Sequence, residues 1–185
     1  MDGDEILQRA RRQRHTTLSL ADQVKEDRWR APVMPGGATL HDVLAHILAW
    51  DEWAVGVFEL SHLRDEVPPA LARALDDVDG FNARAQARLR NITRDDMLSS
   101  LQTISDRIVK SSLAVGGEDW AKRRLPGLTF AVGGSDMRPP RQVTPSVGGV
   151  LRMLTEHEEE HAGEIAAAFG VSVQREDEAQ QVSGK

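Results

Sequence analysis

The chain has no cysteine among its 185 residues, and that absence removes disulfides, a cysteine nucleophile and thiolate metal ligands together. Any metal would have to be held by histidine and carboxylate. Basic charge is also short: 23 Lys and Arg against 29 Asp and Glu leave a formal net charge of −6. A general nucleic-acid binder needs clustered Lys and Arg on one face, so no nucleic-acid partner is expected. The one basic run, RARRQR at 9–14, spreads around a helix and reads as a solvated face. No stretch approaches the ~20 continuous apolar residues of a membrane span. The opening MDGDEILQRARRQR has neither the apolar segment nor the small-residue cleavage site of a signal peptide. A cytoplasmic protein without a membrane partner is the expectation.

What is present is helical periodicity. With 40% hydrophobic residues the chain can bury one substantial core, which makes a single domain over 1–170 the simplest organisation. A first helix is expected from about Asp4 to Trp29, stopped by the breaker cluster PVMPGG at 32–37. A second starts after Thr39, an N-cap with Asp42 three residues on, and runs to about His62. Beyond Pro68 and Pro69, a third helical region covers about Asp77 to Val115, broken near Asn91 where Thr93 and Asp96 form a fresh cap. Residues 116–143 are too rich in Gly and Pro for a helix and form a long connection, of the kind that often covers a site. The last helix opens at Thr144 and Pro145 and closes at Gly170. The polar stretch 171–185 is expected to be disordered. Four long helices without a credible sheet predict an all-α four-helix bundle with a long loop before the last helix.

The chemistry concentrates in TEHEEEHAGEI at 155–165. Residues four apart share a helical face, so His157 and His161 can address one atom. At ~100° per residue, both fall in the apolar stripe of Val150, Met153, Leu154, Ile165 and Ala168. Glu159 points away and Glu160 lies toward one edge. Glu158 sits at the opposite flank beside Leu151, and Glu164 lands near His157. In the second helix the stripe is Leu40, Val43, Ile47, Trp50, Ala54 and Val57, with His46 along its border. His41 falls on the far side near Glu52, and His15 and His62 have no assignable partner. A buried histidine is often just a hydrogen-bonded core residue, but three imidazoles offered to one interior need either separate partners or one shared ion. Such a set suits Zn, Ni, Fe or Cu and leaves positions open for water or substrate.

The spelling H-E-x-x-H also fits a zinc protease. The extended form would require glycine and histidine where this chain has Glu164 and Ala167, and no strand offers an edge to a peptide. The protease reading is therefore the weakest.

The stretches TLHDVLAHILAWDEW, DDVDGFNARAQARL and LTEHEEEHAGEIAAAF resemble, in order and over about residues 4–170, the DinB superfamily of four-helix metal-binding proteins. The resemblance implies a metal triad of His46, His157 and His161. It also implies chemistry of the kind found in thiol-dependent enzymes that use mycothiol, bacillithiol or glutathione, among them maleylpyruvate isomerase and thiol S-transferases. A further kind is found in self-resistance proteins that open a genotoxin's cyclopropane by hydrolysis. A family supports a site and not a substrate.

The expectation is thus a metal-dependent enzyme acting on a small electrophilic molecule by thiol transfer or hydrolysis, with zinc, nickel or iron as the ion and a low-molecular-weight thiol as a candidate co-substrate. In this reading Glu164 orients a ligand imidazole and Glu158 carries a proton. Trp50 and Trp53 wall the substrate, and Arg123, Arg124, Arg138 and Arg141 on the covering loop meet an anionic group. A bundle that binds and sequesters a hydrophobic compound without turnover is the alternative, and a homodimer is expected from apolar residues at the bundle edges.

Overall fold

The N-cap signals decide where the helices begin. In the computed structural model, which describes residues 2–132 and 141–172, helix α1 spans Gly3–Gln23 and opens on a capping box between Asp2 and Glu5. Helix α2, Leu40–Arg64, opens on the expected box of Thr39 and Asp42 and ends with Asp65 in the left-handed conformation. Helix α3 spans Pro69–Asp76 and α4 spans Val78–Leu89. Helix α5, Arg94–Gly116, starts at the expected cap, with Thr93 accepting from the Asp96 N–H. Helix α6, Val147–Phe169, closes on Gly170 at φ 65°, a backbone region that glycine enters without penalty.

Four boundaries differ from the expectation, each for a physical reason. Helix α1 stops at Gln23, not near Trp29, because Val24 turns into an extended conformation that brings both Val24 and Trp29 into the core. Residues 69–76 form a helix where the two prolines suggested only a connection; Pro69 occupies the first helical position, where its missing N–H costs nothing. Helix α6 is capped by Ser146, while the Pro145 carbonyl accepts from the Leu125 N–H. The long connection is not structureless: residues 117–122 make a 3₁₀ turn, and strands β1, Phe130–Val132, and β2, Arg141–Val143, form an antiparallel pair with Phe130 opposite Val143.

The bundle proper is α1, α2, α5 and α6, with α2 packed most extensively on α5 and α1 on α6, and α4 lying against α2. Leu40, Leu44, Phe58, Met97, Leu101, Val150, Leu151 and Ile165 fill its interior. The connection before α6 is anchored at one end of the bundle: Val67 N–H donates to the Pro126 carbonyl and Val147 N–H to that of Arg123, and a side chain at Gly127 would collide with the Val67 carbonyl. From that end His157 stands about 15 Å along α6 and His46 about 27 Å along α2, at ~1.5 Å of helix per residue, and none of residues 117–132 or 141–146 lines the opening beside His46 and His161. The described part of the connection therefore does not cover the histidines. Arg123 pairs with Asp65 and Arg124 donates to the Thr144 carbonyl. Arg138 and the tail beyond Ser172 lie outside the described residues. Among those residues no helix is long and apolar enough to cross a membrane.

Candidate metal centre

Helices α2 and α6 bring three imidazoles to one point. His46 Nε2 lies 3.1 Å from His157 Nε2, and His161 Nε2 lies 3.1 Å from the same atom. These ligand atoms, all within 4.8 Å of one another, are the one group of three or more His, Cys, Asp or Glu among the described residues arranged to hold an ion. His157 and His161 meet through i, i+4 spacing on α6, and His46 reaches them because its border of the α2 stripe faces α6.

The protonation pattern suits an ion. Glu164 Oε2 is 2.8 Å from His161 Nδ1; a carboxylate accepts, so Nδ1 carries the proton and Nε2 presents its lone pair. Burial, followed by the neighbouring imidazoles, pushes the His46 ring down to about 4. Burial and His161 likewise lower His157. The His46 and His157 rings are thus neutral at pH 7, the state in which imidazole is a ligand. A proton on His157 Nε2 could satisfy one of its two nitrogen neighbours but not both, whereas a cation satisfies all three. Nitrogens bound to one tetrahedral ion at ~2.0–2.1 Å stand roughly 3.4 Å apart, close to the spacing seen. The residues present fit a divalent transition metal.

An opening of about 240 Å³ reaches the cluster, lined by the apolar Met34, Pro35, Ala38 and Val43, by the polar Asp42, Gln86 and Glu164, and by His46 and His161. The structure brings Glu164 to this centre. It does not bring Glu158 there: that flank of α6 is interior rather than solvated, and Glu158 Oε2 accepts from the buried Arg14 at 3.0 Å. Trp50 touches the centre edge-on, 6.4 Å from the His46 ring centroid. Trp53 is buried beside Trp50 and lines a separate opening between α2, α3 and α4. Neither tryptophan lines the opening to the histidines.

Three groups were not legible beforehand. Asn82 on α4 accepts from Trp50 Nε1 at 3.1 Å and lies within hydrogen-bonding reach of the His46 ring, favouring its protonated form. It thereby steadies both. Arg14, read as part of a solvated run, is buried and donates to Asp51 Oδ2 at 2.5 Å as well as to Glu158. The seven-residue interval from Leu7 to Arg14 to Ala21, all buried, was the available signal. Only Arg11 and Arg12 of the run are exposed; Arg9 pairs with Glu159 at 2.6 Å. His41 also departs from its expected place on the far side: it is buried against the turn between α4 and α5, near Leu89 and Ile92.

A helical bundle with a three-histidine cluster between two of its helices is the class that fold and site define. Residues 9–165 match the family model of the DinB superfamily, and the chain belongs to that superfamily. Among solved structures it is similar to the mycothiol-dependent maleylpyruvate isomerase, with a TM-score of 0.64 and 13% identity over 89% of this chain and 61% of that one. It is also similar to an uncharacterised protein from Escherichia coli UTI89, with a TM-score of 0.68 and 12% identity over 92% and 95% of the two chains. At these identities the likeness shows the fold alone, and the chain spans less than two thirds of the isomerase. No curated protein matches it.

Proposed function

We propose that this protein is a metal-dependent enzyme that acts on a small electrophilic molecule by thiol transfer or hydrolysis at the centre formed by His46, His157 and His161. The observation that carries the reading is the convergence of three Nε2 atoms on one point, two of whose histidines, His46 and His161, line an opening of about 240 Å³. A zinc, nickel or iron ion bound there would supply the Lewis acidity that makes water or a thiol nucleophilic at neutral pH. Three protein ligands leave room for a substrate, unlike the closed four-ligand set of a structural site.

The chain's own residues have separate tasks. Glu164 fixes the His161 tautomer through the Nδ1–H, and Asn82 restrains the His46 ring, so that two of the three lone pairs are aimed before anything binds. Met34, Pro35, Ala38 and Val43 exclude water from one side of the opening, and Trp50 closes the space behind His46. Glu158 belongs to the buried ion cluster that ties α1 to α2 and α6, and we assign it a positioning role. The likeness to a thiol-dependent isomerase favours a low-molecular-weight thiol as co-substrate. The test is elemental analysis of the purified protein beside a His157→Ala/His161→Ala variant. About one equivalent of transition metal, lost in the variant, is the expected result, followed by turnover that chelation abolishes. Absence of metal after reconstitution would overturn the reading. A ligand bound equally well after chelation and never converted would make the protein a sequestering bundle.

A further inference from the structure

The walls of the opening differ in charge from what an anionic substrate would need. Its polar side carries two carboxylates, Asp42 and Glu164, and among the described residues no lysine or arginine lines it. Each acid stands one helical turn from a metal-ligand candidate: Asp42 precedes His46 by four residues on α2, and Glu164 follows His161 by three on α6. Residues so spaced are neighbours on one helical face, with Cβ atoms about 5–6 Å apart.

Both acids are engaged by uncharged donors and keep their own charge. Asp42 Oδ2 accepts from the Thr39 N–H and hydroxyl at 3.0 and 2.7 Å, and Glu164 accepts from His161. Neither is paired with a guanidinium or ammonium group among the described residues, so their charge faces the opening. Arg88 is paired with Glu52, and Arg30, which keeps its charge, is turned toward the Arg90 and Ile92 carbonyls and does not line the opening.

From this arrangement we infer that the centre selects compact molecules carrying a cationic group a few bonds from the atom that engages the histidine-held ion, and discriminates against carboxylates and phosphates. The inference rests on the metal reading and adds the substrate class to it. Two carboxylates formally offset a divalent ion, so an anion meets no net attraction beyond its direct bond. An ammonium group finds Asp42 or Glu164 within one helical turn of the reacting atom, while the apolar side of Met34, Pro35, Ala38 and Val43 receives the carbon body.

The test uses the cobalt-loaded full chain, with cobalt content measured first, and follows the visible absorption of the ion as three thiols are titrated: cysteamine, 2-mercaptoethanol and 3-mercaptopropionate. Because thiol acidity differs among them, the quantity read is the affinity ratio of cysteamine to 3-mercaptopropionate in the wild type and in Asp42→Asn, where that acidity cancels. The ratio is expected to fall by about threefold to tenfold in the variant, as losing one unit charge at short range in a solvated opening implies. Glu164→Gln is expected to act in the same direction. Independently of any variant, raising salt from 0.02 to 0.5 M should weaken cysteamine and strengthen 3-mercaptopropionate. An unchanged ratio, or salt that weakens 3-mercaptopropionate, overturns the inference while leaving the metal centre standing. A protein that takes up no cobalt overturns both.

Discussion

Arg14, Asp51 and Glu158 put two acids and one base in the interior, where unpaired charge is expensive. One guanidinium nitrogen serves both carboxylates, at 2.5 and 3.0 Å, and Glu158 Oε1 is left without a partner. Burial, opposed by Arg14 and reinforced by Asp51, raises the Glu158 carboxyl from its usual 4.5 to about 7. The sign of its contribution follows: between about 4.5 and about 7 the folded state holds a proton that the unfolded state has released, so this group's stabilisation is fully present below that window and is lost as pH rises through it. Glu158→Gln keeps the shape and removes the titration. Relative to wild type, the variant should therefore gain on the order of 1–3 kcal/mol of unfolding free energy between pH 5 and pH 8, measured by denaturant unfolding at the two pH values. A constant difference would mean that Glu158 is ionised throughout. Arg14→Met, which strands both acids, should cost roughly 3–5 kcal/mol in the same experiment at pH 8.

At the scale of elements, the caps were the most readable feature because each is a local bond between residues three apart. Thr39 with Asp42 and Thr93 with Asp96 stand as expected, as does the left-handed Gly170. Thr39→Ala should destabilise the fold by ~1 kcal/mol, read as a lower denaturant midpoint at unchanged slope. It should also leave the Asp42 carboxylate with one bond fewer, since the threonine hydroxyl donates to it, and the Asp42 N–H without its cap. The i, i+4 histidines were legible for the same local reason. What could not be read was pairing between helices. Nothing local to Arg14 points to Asp51 on α2, and nothing in DDVDGFNARAQARL singles out Asn82 as the partner of Trp50. The α3 helix was hidden by its own prolines, which break a helix in its interior but start one at its first position. The end of α1 was set by burial of Val24 and Trp29, a tertiary effect that overrides a continuous helical pattern.

For the whole molecule, the seams of the bundle are unequal. Helix α2 meets α5, and α1 meets α6, over long apolar contacts, whereas α2 and α6 meet less extensively, and it is across this lesser seam that His46 faces His157. An ion held there joins the two stronger pairs. Because the unfolded chain cannot present three preassembled imidazoles, metal binding adds to folding stability, by about 2.7 kcal/mol when free metal is 100 times its dissociation constant. For a chain of this size each kcal/mol moves the melting temperature by roughly 2–4 °C, so zinc should raise it by about 5–11 °C. The comparison is made within each variant, which removes the cost of the substitution itself. His46→Ala should lose most of the rise, since α6 alone then holds the ion and the seam is no longer bridged. His15→Ala and His62→Ala, which alter exposed histidines, should keep it in full. If His46→Ala retained the whole rise, the ion would be bound by His157 and His161 without α2, and the centre would not be the three-histidine site on which the opening, its acids and the chemistry above depend.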